Sequence, residues 1–198
     1  MKVILINPRT DDMIATELPS YVSKELGSFP PLGLLYLAAS ARAGGVHKVQ
    51  VVDMPARRMS YRELEEFIRH EKPGVVGITG TTHNLVEIVR TADCVKRADP
   101  SVIVCLGGPH VDAFPRESLA FPSIDFAFRG EAEKSFVQFL DALESGKSPG
   151  NIGGICSRVD GKAVTDAAPQ VASDLDALPF PARDLVNQSD YYYVLGKR

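Results

Sequence analysis

Over residues 1–148, short apolar runs alternate with longer stretches in which apolar side chains recur every three or four positions. The runs at 2–7, 49–53, 75–79, 102–106 and 126–128 are rich in Val, Ile and Phe and nearly free of charge. Such continuous apolarity predicts strands buried on both faces rather than one. Between them, Leu34, Leu35, Leu37, Ala38 and Ala41 mark one face of a helix that Gly44-Gly45 stops. Ser60 and Glu63 form a capping-box pattern opening a second helix, with Tyr61, Leu64, Phe67 and Ile68 on one side. Leu85, Ile88, Val89, Ala92 and Val95 mark a third, which Asp99-Pro100 ends. Phe136, Phe139, Leu140 and Leu143 repeat at i, i+3, i+4, i+7 and mark a fourth.

Strands alternating with helices predict an α/β fold, a doubly wound (flavodoxin-like), mostly parallel five-stranded sheet of order 2-1-3-4-5. The texture changes at residue 149. Runs at 155–159 and 162–165 flank Asp160-Gly161, which reads as a small C-terminal β-hairpin with a tight turn. Pro169, Pro179 and Pro181 then predict an extended tail, and Tyr191-Tyr192-Tyr193-Val194-Leu195 is apolar enough to need a packing partner. We therefore divide the chain into an α/β domain over 1–148 and a hairpin and linker over 149–198.

In a doubly wound sheet, ligands bind outside the carboxyl ends of the strands, at the switch point. This directs attention to the segments after Asn7, Asp53, Thr79 and Leu106. Gly107-Gly108-Pro109-His110 follows the fourth run, where two glycines permit a tight turn and close approach to a ligand. An ordinary strand-to-helix turn explains the same residues. Thr79-Gly80-Thr81-Thr82 places three hydroxyls at the predicted cleft; one threonine serves as a helix cap, and capping does not account for all three. Gly130-Glu131 is explained by a turn followed by an acidic helix start, and Pro30-Pro31-Leu32-Gly33 by proline at a helix start. His83 and His110 fall at the same sheet edge without a second ligand at metal spacing, so no metal site is expected; His47 and His70 read as solvent-facing or C-capping.

Composition narrows the function classes. The 198 residues carry a formal net charge of −3 with basic residues scattered, so no nucleic-acid footprint and no polybasic membrane patch are expected. The opening apolar run is too short for a signal peptide and no stretch approaches a bilayer span, which predicts a cytoplasmic protein without membrane partners. Cys94, Cys105 and Cys156 lie too far apart for a zinc pair, and Cys94 and Cys105 are read as buried fillers. No Gly-x-Gly-x-x-Gly follows the first run, and no Gly-x-Ser-x-Gly elbow is present. Gly146-Lys147-Ser148 lacks the earlier glycine of a phosphate loop, and Asn187-Gln188-Ser189 has no secretion signal to make it a glycosylation site.

Taken in order, these motifs resemble a known family. They are Asn7-Pro8, Pro30-Pro31-Leu32-Gly33-Leu34-Leu35-Tyr36-Leu37-Ala38-Ala39, Asp53, Val76-Gly77-Ile78-Thr79, Gly107-Gly108-Pro109-His110, Gly130-Glu131-Ala132-Glu133 and 174–184. The chain is similar to the N-terminal cobalamin-binding domain of cobalamin-dependent radical S-adenosylmethionine enzymes. The resemblance implies cobalamin at the carboxyl edge of the sheet, its nucleotide tail passing Gly107-Gly108. It implies a cofactor set of Asn7, Pro8, Asp53, Thr79, Gly80, Thr81, Thr82, Gly107, Gly108, Pro109, His110, Gly130 and Glu131, with no catalytic residue in this chain. It also implies a C-terminal radical S-adenosylmethionine domain, absent here, holding a 4Fe-4S cluster and S-adenosylmethionine, so that the chain alone does not turn over. Met54-Pro55-Ala56 after Asp53 offers no cobalt-ligating histidine, the cluster's Cys-x-x-x-Cys-x-x-Cys is absent, and Ala132 stands where glycine is usual. A signalling receiver would need an acidic cluster where Asn7 stands, and a flavin carrier a Ser/Thr-rich loop there. The alternative of a degenerate, cofactor-free scaffold stays open at this point.

Overall fold

A computed structural model describes residues 1–12, 14, 28–150, 152–164, 168–171 and 174–192. The strands are β1 (Lys2–Asn7), β2 (Lys48–Asp53), β3 (Val75–Thr79), β4 (Ile103–Gly107), β5 (Phe126–Phe128), β6 (Ile155–Val159) and β7 (Lys162–Val164). The helices are α1 (Leu32–Ala43), α2 (Met54–Arg57), α3 (Tyr61–Glu71), α4 (Leu85–Ala98), α5 (Pro109–Ala113), α6 (Pro115–Ser118) and α7 (Glu133–Glu144). Strands β1 to β5 are parallel in the order 2-1-3-4-5, as the apolar runs predict. The five-stranded expectation is corrected: β6 and β7 add antiparallel to β5, giving one seven-stranded sheet of order 2-1-3-4-5-6-7. The physical reason lies at the edge. β5 has three residues, and its free side would expose unpaired N–H and C=O groups that β6 instead satisfies. Ile155 and Cys156 are buried while the strand's far end reaches solvent, a pattern too short to reveal its partner from sequence.

Side chains on β1 show how the layers form. Val3 and Leu5 join the core under α1 and α7, with Leu35, Ala38, Phe136 and Phe139. Ile4 and Ile6 point oppositely, into the core under α3 and α4 with Leu64, Ile68, Ile88 and Ala92. Every one of these side chains is buried, which is why β1 shows no alternation of apolar and polar residues. Phe128 meets Phe136 and Phe139 edge-on at 5.5 and 5.3 Å between ring centroids, seating α7 on β5. The predicted capping box is present: Glu63 N donates to Ser60 Oγ at 3.3 Å, and Ser60 N donates to Glu63 Oε2 at 2.8 Å. The Asp160-Gly161 turn has φ of 49° and 74°, the left-handed pair a two-residue hairpin requires.

Other expectations change. β4 begins one residue later than the apolar run. Two short helices, each with proline in its first turn, carry the chain from β4 to β5, where periodicity over so few residues gave no signal. His47 is not solvent-facing. Its side chain is 2% exposed, with Nε2 3.1 Å from Asp141 Oδ1 and Nδ1 3.3 Å from Glu144 Oε2, clamping α7 beside β2. His70 does lie exposed at the end of α3. All three cysteines are buried thiols. The extended tail crosses α1, where Ala182 N donates to Leu35 O and Arg42 pairs with both oxygens of Asp184. It then returns to the carboxyl edge, where Tyr191 Oη donates to Asp53 Oδ2 at 3.0 Å and Tyr192 bridges Ser28. Tyr193-Val194-Leu195 lie outside the described residues. Among the described residues no helix is long and apolar enough to cross a membrane.

Candidate functional site

The carboxyl ends of β1, β3 and β4 form a shelf, and beneath it a cleft of about 240 Å³ runs between the sheet, α1 and α7. Leu34 and Leu37 of α1, Ile78 and Leu106 of the strands, and Phe128 and Phe136 make it largely apolar. Glycines open it. A methyl group at Gly33 or Gly107 would meet no atom within 4 Å, so both positions border free space. Gly77, inside β3, also lines the cleft; a methyl group there would approach Leu5 Cδ2 to 2.8 Å. Of the residues singled out from sequence, Thr79, Gly107, Gly108, Gly130 and Glu131 line this cleft.

Gly108 has a different reason for being glycine. Its φ is +99°, and a Cβ would lie 2.7 Å from Gly80 O and 3.1 Å from Thr79 Oγ1. The two loops touch there: Gly80 N donates to Gly107 O at 3.2 Å and His110 N to Gly80 O at 3.4 Å. A Cβ at Gly80 would meet the Ile88 side chain of α4. On that side, Thr81 precedes a single 3₁₀ turn, Thr82–Asn84, and its N–H donates to Asn84 Oδ1 at 2.8 Å. Thr82 Oγ1 lies 3.1 Å from Nδ1 of His110, which follows the exposed Pro109 at the start of α5. His110 is fully buried and its Nε2 has no hydrogen-bond partner among the described residues. Burial lowers the imidazole's pKa, keeping it neutral.

Asn7 and Asp53 are register partners at the ends of β1 and β2. Asn7 Nδ2 donates to Asp53 Oδ1 at 3.0 Å, and Asp53 also caps α2 through Ala56 N and receives Tyr191. Asp53 is 3% exposed and its bonds go to protein groups, so it anchors the shelf from within. Pro8, next to Asn7 in sequence, is buried. Gly130 N donates to Asp112 Oδ1 at 2.6 Å, which ties the turn before α7 to α5.

The cofactor set implied from sequence omits several contributors, Gly33 among them. Gly77 and Phe136 read from sequence as parts of a strand and a helix face; the glycine within an otherwise β-branched run is the available signal. Glu87, on α4, is 1% exposed and receives Asp12 N at 3.3 Å, Arg90 Nη1 at 3.2 Å and the Tyr61 hydroxyl. Arg9 lies over the Tyr61 ring at 5.9 Å and donates to Met59 O, so the segment after Asn7 is held down by residues from α3 and α4. A second, polar cleft of about 210 Å³ opens there, bordered by Arg9, Thr10, Asp11 and Arg58.

Residues 21–140 match the B12 binding domain family. The chain is 31% identical over 193 residues to an uncharacterized methyltransferase of Pyrococcus horikoshii, covering 96% of this chain and 40% of that protein. It is 30% identical over 178 residues to the anaerobic magnesium-protoporphyrin IX monomethyl ester cyclase of Rubrivivax gelatinosus, covering 87% of this chain and 32% of the relative. The fold is shared with the radical S-adenosylmethionine methyltransferase TsrM of Kitasatospora setae, solved with cobalamin and a [4Fe-4S] cluster bound. That match has a TM-score of 0.67 and 20% identity over 91% of this chain and 31% of TsrM. It is shared also with the cobalamin-dependent S-adenosylmethionine radical enzyme OxsB, solved with aqua-cobalamin and S-adenosylmethionine bound. There the TM-score is 0.70 and the identity 17%, over 93% of this chain and 24% of OxsB. The chain thus spans well under half the length of these relatives. The resemblance drawn from the ordered motifs is borne out, and the chain belongs to the B12 binding domain family.

Proposed function

We propose that the chain binds cobalamin at the carboxyl edge of its sheet, the nucleotide tail seated in the glycine-lined cleft. The observation that carries this reading is the free space bordered by Gly33 and Gly107 beside an apolar wall. A flat base needs close backbone approach and apolar faces, and both are offered there. Thr79, Gly107, Gly108, Gly130 and Glu131 would hold the tail; Asn7, Pro8, Asp53, Gly80, Thr81, Thr82, Pro109 and His110 shape the shelf for the corrin. Bound cobalamin supplies a cobalt centre that can accept and hand on a methyl group. The chain's own part is to orient that group and shield one of its faces. The loop after β2 turns directly into α2 at Met54-Pro55 and would offer bound cobalamin no histidine.

In the whole protein, this domain serves a radical S-adenosylmethionine methyltransferase or cyclase. Residues 1–148 form the cofactor domain, and 149–198 lead toward a catalytic barrel carrying the 4Fe-4S cluster and S-adenosylmethionine. Support comes from the named relatives, of which the chain spans 40% and 32%.

Titration of the purified chain with hydroxocobalamin, followed by desalting, tests the reading. Retained colour with the visible spectrum of the base-off form is expected. Replacing Gly107 by Leu, which fills the open space, should weaken retention at least about tenfold with the far-ultraviolet circular dichroism unchanged. A folded chain that emerges colourless overturns the proposal.

A further inference from the structure

His110 is a polar residue in an apolar place. It is fully buried, its ring packs 5.6 Å from that of Phe114, and its Nε2 reaches no partner among the described residues. An apolar side chain would fill this space without leaving a polar atom unpaired. Among the described residues the imidazole bonds through Nδ1 to Thr82 Oγ1 alone, and Thr82 is exposed on the shelf three residues beyond the end of β3.

The direction of that bond follows from the burial. A neutral imidazole must leave either an N–H or a bare lone pair at Nε2, and an orphaned N–H is the rarer of the two in folded proteins. In the tautomer that leaves no buried N–H unpaired, Nδ1 carries the proton and donates it to Thr82 Oγ1. With that oxygen accepting from the buried side, the hydroxyl proton of Thr82 is left to be donated from its exposed side.

We propose that His110 is a positioning residue that fixes Thr82 as an outward hydrogen-bond donor to an acceptor oxygen of the corrinoid. This rests on the cobalamin reading above. The matching ligand chemistry is a carboxamide carbonyl on the ring periphery or a phosphate oxygen on the tail. A threonine without this partner would rotate freely and offer donor and acceptor alike to water.

Two measurements on the 198-residue chain decide it. In long-range ¹H–¹⁵N spectra of histidine-labelled protein, with His110 assigned by its loss in His110→Phe, a protonated Nδ1 and a bare Nε2 are expected. In hydroxocobalamin binding, Thr82→Val should raise Kd about five- to tenfold, and Thr82→Ser should restore most of the affinity. His110→Phe should weaken binding when Thr82 is present and change little once Thr82→Val has been made. Repeating the series with cobinamide separates the two oxygens: an equal penalty assigns the ring carboxamide, a vanished one the tail phosphate. A protonated Nε2, or equal His110→Phe effects in both backgrounds, overturns the inference while leaving cobalamin binding in place. If the unaltered chain fails to bind, the cobalamin reading falls and this one falls with it.

Discussion

Individual glycines in this chain do opposite jobs, and their neighbours decide which. Gly107 faces open space, so its lack of a side chain shapes a cleft. Gly108, one residue on, is in the left-handed region with the Gly80 carbonyl where its Cβ would be, so its lack of a side chain permits the fold. Gly108→Ala should therefore destabilise the chain by about 2–3 kcal/mol, the sum of strained backbone and a clash against main chain. Gly107→Ala should leave stability within about 0.5 kcal/mol. Urea midpoints of the two variants check this, and equal losses would contradict the assignment. Both glycines stand out in the sequence. Their separate roles do not, because the role depends on what the loop after β3 places against each.

Among the elements, the C-terminal hairpin changes its meaning most between sequence and structure. Its strands and its turn are legible from 155–165, but its place at the edge of the main sheet is not. Pairing of Ala127 with Cys156 and Phe128 with Ile155 closes an edge that β5 alone leaves open. Ending the chain at residue 150 should bare that edge together with the apolar surface that Ile155, Cys156 and Ala182 cover. The shortened chain is expected to self-associate, which light scattering after size exclusion would report. A stable monomer would show that β5 needs no partner. The helices α5 and α6 illustrate the converse: two single turns carry too few residues for periodicity, and their prolines read equally well as loop.

For the whole molecule, the shifted groups set how stability responds to pH. Burial lowers the His110 pKa below its ordinary value near 6.5, so the unfolded chain binds that proton first. Stability from this group is complete above about 6.5 and is lost as pH falls toward the lower folded value. Glu117 is the charged neighbour that opposes this shift. Glu63 held by Ser60, Glu71 by Lys2, Asp99 by Ser101 and Asp184 by Arg42 are all lowered carboxyls, and they add losses further down, through the carboxylate range. On the alkaline side burial raises Tyr61, Tyr191 and Cys94, the last pushed up to about 11. Their contribution is present below the unfolded values and disappears as pH rises through the folded ones. Urea midpoints from pH 4 to 10 should show a plateau from about 7 to 8.5, with the acid limb starting later in His110→Phe. An unchanged limb in that variant would remove His110 from the account.

The order of apolar runs, caps and glycine-bearing turns fixes the layered α/β core. It does so because strands buried on both faces and one-faced helices leave few other ways to hide this much apolar surface. The family, too, is legible in the succession of short motifs from Asn7 to the tail. Tertiary structure alone decides where polar residues end up. Asp53 becomes an internal anchor once Tyr191 returns from the far end of the chain, and His47 becomes a clamp once α7 brings Asp141 and Glu144 over it. The His110 imidazole meets Thr82 only when the loops after β3 and β4 meet at Gly80 and Gly108. Apolar burial follows a local period that a sequence displays, whereas a polar side chain is defined by one partner whose distance along the chain is arbitrary.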